Sequence, residues 1–224
     1  ALLQQYRHDF EPAARELDRV LQREPDNTEA MAWQMALSLV RADYPGARQR
    51  CAQIEAAGTA LERVVCPAVI DSLTGKSRAA YDNVSHALAR HQPQSASYRQ
   101  WVLTRLAEFA QRLDERALAE RHFREAIAAG PVDGFALAAY ADFLLDAGRP
   151  AEVLPLLREF ENSDVLLLRL ALAADAAKSP DAMRYKRAMA DRFAASALRG
   201  DRLHMQEEAR FELHLARNTS AALK

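Results

Sequence analysis

The side chains of this 224-residue chain with the means to do chemistry are few. Its six histidines are His8, His86, His91, His122, His204 and His214, and no two lie four residues apart on one helical face. His204 and Glu208 are one helical turn apart and could share a metal, but one imidazole and one carboxylate make a poor site, and a solvated pair is the simpler reading. Two thiols, Cys51 and Cys66, are too few for a metal centre without histidine at ligand spacing. Asp142 and Asp146 are a turn apart and have the types needed for acid–base work; on a groove such a pair more often reads a basic partner. Gly75-Lys76-Ser77 matches the tail of a phosphate-binding loop, but the upstream glycine and strand are missing. No Gly-x-Ser-x-Gly elbow occurs. Without a nucleophile, base and oxyanion set, the chain is expected to be non-catalytic, with no metal or cofactor.

Composition narrows the partner class. Lys and Arg total 30 against 31 Asp and Glu, a formal net charge of -1. Non-specific nucleic-acid binding needs a net positive surface to displace counterions, so nucleic acid is not an expected partner. The run Val165-Leu166-Leu167-Leu168 is broken by Arg169, far short of a membrane span. Half the residues are hydrophobic and only seven are Gly, a mix rich in Ala, Leu and Arg that favours helices.

The elements that must position these residues are legible as a repeat. Leu103, Leu106, Ala107 and Ala110 form one helical stripe, and Ala119, Phe123 and Ala126 form a second, closed by Pro131. The pattern restarts with Leu137, Tyr140, Ala141 and Leu144, breaks at Gly148-Arg149-Pro150, and resumes with Val153, Leu157 and Phe160. A small residue that lets a second helix approach the first recurs at Ala13, Ala47, Ala80, Ala119 and Val153. Upstream, Glu11 to Arg23 reads as a second helix, and Thr28 is placed to cap the next one. Pro67 should kink its helix or delay its start, and Pro155 should bend its own. Ser179-Pro180-Asp181 starts a partner helix, and Asp201 to Ala216 reads as one further amphipathic helix.

These units resemble the tetratricopeptide repeat (TPR) family, whose unit is two helices in about 34 residues. The resemblance is strong over 28–56 and 98–161 and looser elsewhere, and the whole is similar to bacterial TPR proteins. It implies an all-α fold, an α-solenoid of stacked antiparallel helix pairs wound as a right-handed superhelix. On this register 1–224 is a single array: a partial unit at 1–27, units at 28–60, 61–97, 98–133, 134–163 and 164–200, and a partial unit at 201–224. The array is expected to continue past both ends, where any leader would lie.

The resemblance also implies where a partner would sit. The concave face would carry Trp33, together with Glu29, Ala36, Leu39 and Val40, on one unit. Trp101, Arg105, Glu108 and Arg112 would follow on the fourth, Phe135, Asp142 and Asp146 on the fifth, and Arg169 and Asp175 on the sixth. Aromatic and arginine side chains together suit peptide anchoring; equally, Arg105, Glu108 and Arg112 have the spacing of ion pairs on a solvated face. The Lys and Asn that chaperone adaptors of this family use to clamp a peptide carboxylate are replaced here, for example by Trp33 and Arg105. Cys51 and Cys66 fall on adjacent helices of neighbouring units, and are either a disulfide or two small buried core residues. The compartment would be the bacterial cytoplasm or periplasm, the latter favoured if the two are bridged. The expected function is a scaffold binding a protein or peptide; the alternative is an assembly subunit that self-associates through the ends of the array.

Overall fold

The computed structural model describes residues 10–200 and 205–223. The expected helix tail at 1–6, His8 and His204 lie outside them. Among the described residues are thirteen α-helices and no strand. They are α1 (Phe10–Arg23), α2 (Thr28–Val40), α3 (Tyr44–Ala57), α4 (Ala60–Leu73), α5 (Ser77–Arg90), α6 (Ala96–Arg112), α7 (Arg116–Ala129), α8 (Gly134–Asp146), α9 (Pro150–Leu157), α10 (Asp164–Ala176), α11 (Ala182–Leu198), α12 (Met205–Phe211) and α13 (Thr219–Ala222). A π-turn, Glu212–Ala216, follows α12. Contacts divide the chain into two compact units, 1–131 and 132–224.

One turn is reused five times. Each of α2, α4, α6, α8 and α10 ends on a left-handed residue: Ala42, Gly75, Asp114, Gly148 and Lys178, with φ between 53° and 91°. The next N–H then closes back five residues, as in Asp43 N to Ser38 O (2.8 Å), Lys76 to Asp71 (2.8 Å), Glu115 to Ala110 (3.0 Å), Arg149 to Leu144 (2.9 Å) and Ser179 to Ala174 (2.8 Å). This is the Schellman arrangement, which satisfies carbonyls that the helix end would orphan and reverses the chain at once. In the first four cases the partner helix starts two residues beyond the left-handed residue, at Tyr44, Ser77, Arg116 and Pro150. Five residues beyond it come Ala47, Ala80, Ala119 and Val153, each at most 2 % exposed. A fixed turn thus delivers a small side chain to the same contact each time, and the paired helices close on one another. In the fifth case Ser179-Pro180-Asp181 delays α11 to Ala182, and the first fully inward residue becomes the large Tyr185. That two-residue slip accounts for the loose pattern of this unit.

In the unit spanning 1–131, contacts run α1–α2, α2–α3, α3–α4, α4–α5, α5–α6 and α6–α7, and α4 also meets α6. Buried side chains follow the same relay. Ala13 and Leu17 meet Ala30 and Leu37. Met31 and Met35 meet Ala47, Cys51, Ile54 and Ile70. Leu61, Val65 and Val69 meet Val84, Leu103, Leu106 and Phe109. Each large side chain buried this way contributes about 1.5–3 kcal/mol. No hairpin covers its own apolar face, so the core continues through neighbours. Cys51 of α3 and Cys66 of α4 are joined as a disulfide, which ties one hairpin to the next. In the unit spanning 132–224, α8–α9, α9–α10 and α10–α11 pack in order, α8 also meets α10, and α10 meets α12. Both units are therefore α-solenoid stacks of antiparallel helix pairs.

At four places the structure adds local detail. The cap of α2 is Asn27, whose side chain accepts from Ala30 N at 2.9 Å, and Thr28 instead donates to Glu62. Pro67 does not delay α4, which starts at Ala60 behind the Thr59–Glu62 capping box and continues past the proline to Leu73. With Pro155 inside it, α9 stops at Leu157 after eight residues, and Phe160 falls in the following turn. The last amphipathic stretch is α12 followed by a π-turn rather than one α-helix; 201–204 lie outside the described residues.

Candidate functional site

Helix α6 has two faces because its apolar residues recur at helical spacing. Val102, Leu103, Leu106, Phe109 and Ala110 are buried. Tyr98, Trp101, Arg105, Glu108 and Arg112 follow at three- and four-residue steps and share another face. Ser95 starts the helix by accepting from Tyr98 N at 3.0 Å. Tyr98 and Trp101 stack with ring centroids 5.7 Å apart and planes 20° from parallel. The Arg105 guanidinium carbon lies 5.5 Å from the Trp101 ring centroid, within cation–π reach, and Arg105 Nη1 is 3.0 Å from Glu108 Oε2. Arg112 donates from Nη1 to Ser72 Oγ on α4 at 3.2 Å.

The N-terminal end of α4 brings Glu62 near Tyr98. Thr28 of α2 donates to Glu62 of α4 at 3.0 Å, while Glu62 accepts from Thr59 N at 2.8 Å. Burial pushes the Tyr98 hydroxyl well above its usual range, and the Glu62 carboxylate adds to that, so Tyr98 stays a neutral phenol. The strip is an aromatic pair backed by a committed carboxylate, with a guanidinium on its face.

In the second unit the expected residues join a different feature. Asp142 of α8 accepts from Arg169 Nε and Nη2 of α10, at 3.0 and 2.6 Å. Arg210 of α12 approaches its other oxygen at 2.7 Å. That oxygen accepts no hydrogen bond, so the contact is an ion pair. One aspartate of α8 thus holds two arginines, one from α10 and one from α12. Asp146 is exposed, Asp175 stands 3.8 Å from Arg217, and Phe135 lies exposed in the first turn of α8. Trp33 leans on the α1–α2 core and does not join the Trp101 strip.

Two pairings have no local signal in the sequence. Tyr81 of α5 and buried His122 of α7 meet at 2.8 Å through Nε2, although 41 residues separate them. Arg210 reaches Asp142 across 68 positions. A sequence reader could have suspected only that His122, one turn from Phe123's stripe, would be inward. Among the described residues, no group of three or more His, Cys, Asp or Glu is placed to hold a metal, and no helix is long and apolar enough to cross a membrane.

No protein-family model and no curated protein matches this chain.

Proposed function

We propose that the chain is a non-catalytic scaffold of the TPR kind that binds a protein or peptide segment along the half-buried Tyr98–Glu108 strip of α6. The observation that carries this reading is the contiguous Tyr98, Trp101, Arg105 and Glu108 set, in which each side chain fixes the next. Tryptophan, tyrosine and arginine dominate binding free energy at protein interfaces. Side chains already held in one rotamer lose less freedom when a partner arrives. Two of the candidate carboxylates are engaged in ion pairs, Glu108 with Arg105 and Asp142 with Arg169. The Cys51–Cys66 disulfide supports an oxidising compartment such as a bacterial periplasm.

The test is capture of partners from an extract of the source organism, with wild-type protein and with Trp101→Ala or Arg105→Ala as bait. Proteins enriched by the wild type are expected to bind the Trp101→Ala bait roughly 30-fold more weakly, the effect of losing an interface anchor of about 2 kcal/mol. Circular dichroism of the variants should match the wild type. An unchanged set of captured proteins removes the α6 strip from the mechanism.

A further inference from the structure

A second surface lies on the α4–α5 hairpin, away from the strip. A groove of about 520 Å³ runs between the two helices. Its floor is apolar, with Val64, Pro67, Ala68 and Ala87. Its rim carries Arg63 on α4 and His86, Arg90 and His91 at the end of α5. Most arginines elsewhere that approach a neighbouring helix are neutralised: Arg48 by Asp71, Arg78 by Glu115, Arg169 by Asp142, and Arg192 by Asp164. Among the described residues, Arg63 and Arg90 have no carboxylate partner; Arg63 spends only its Nε, on the Gly58 carbonyl at 2.9 Å. The groove's lone carboxylate, Asp71, is already paired with Arg48 at 2.9 Å.

Pro67 adds a backbone feature. It lacks an N–H, so the Arg63 carbonyl one turn back has no donor at that position. A mid-helix proline is costly, and here its ring lines the groove. The neighbouring Cys66 anchors this wall through its disulfide to α3. The groove therefore combines an apolar floor, two guanidinium groups without a carboxylate partner among the described residues, and two imidazoles.

We infer that the α4–α5 groove docks an acidic, apolar-containing peptide segment of a partner protein, at a site separate from the α6 strip. Charge complementarity selects the occupant: a basic segment would meet two unpaired arginines, and a purely apolar one would leave them desolvated without partners. The cations would engage carboxylates at the rim while Leu-type side chains settle over Pro67 and Ala87.

Fluorescence anisotropy on the full chain tests this, with a labelled peptide of Glu and Leu residues and a counterpart with Lys in place of Glu. The acidic peptide should bind, weaken as salt rises, and lose at least about tenfold in affinity with Arg63→Glu/Arg90→Glu. Arg90→Glu alone, whose side chain makes no hydrogen bond among the described residues, should show a smaller loss in the same direction and keeps the test sound if Arg63→Glu disturbs the Gly58 turn. Trp101→Ala should leave this binding unchanged, which separates the two sites. Equal binding of the Lys peptide, insensitivity to the arginine variants, or complete displacement by inorganic phosphate would overturn the inference.

Discussion

His122 is the buried group with the most to lose from acid. Its Nε2 meets Tyr81 Oη at 2.8 Å, and its Nδ1 has no hydrogen-bond partner, lying 3.6 Å from Glu125 Oε2. Burial holds protonation of this imidazole below its ordinary range; Glu125 opposes that and Arg121 reinforces it. A histidine depressed in the folded state binds fewer protons there than in the unfolded chain, whose value is about 6.5. The stability it contributes is therefore complete above about pH 6.5 and lost as pH falls through the lower folded value. Urea midpoints should fall from neutral to mildly acidic pH in the wild type, and fall less in His122→Gln. Parallel losses in both proteins would assign the acid sensitivity to other groups.

At the scale of elements, the Schellman turn makes a direct comparison possible. Gly148 adopts φ +70°, and a Cβ built there would meet nothing within 4 Å. Its side-chain freedom is thus unused sterically, and Gly148→Ala should lose only the backbone preference, about 1 kcal/mol. Ala42 occupies the same conformation with φ 57° and already bears that strain. Ala42→Gly should therefore stabilise by roughly 0.5–1 kcal/mol, read as opposite shifts of the two urea midpoints. A destabilising Ala42→Gly would mean that the alanine methyl packs usefully enough to outweigh its backbone.

At the scale of the molecule, the Cys51–Cys66 link matters because each hairpin touches only its neighbours in a stack. It closes a loop with a sequence separation of 15, and Cys51→Ser/Cys66→Ser should lower the stability by about 3 kcal/mol, measured by denaturant unfolding without reductant. The stack itself was legible in advance, because the contact between paired helices demands small side chains, and Ala13, Ala47 and Ala80 advertise it at a nearly constant step. The Arg105–Glu108 pair was legible because three-residue spacing is local; that Trp101 is half-buried against the core was not. The start of α2 was misplaced by one residue because Asn27 and Thr28 are both able caps, and only the backbone geometry chooses between them. The Tyr81–His122 and Asp142–Arg210 pairings were invisible because they join helices distant in sequence. The π-turn at Glu212–Ala216 has no compositional mark.

The recurring left-handed residue also bears on how such a chain can change length. A duplication or deletion with both breakpoints at equivalent turn positions, such as Ala42 and Gly75 or Asp114 and Gly148, removes or inserts one whole hairpin and rebuilds the same closed ring at the scar. The joint would inherit its geometry from either parent turn. Ancestry can thus lengthen or shorten this chain in whole hairpins without inventing new loops, whereas a cut inside a helix would need every following contact to be found afresh.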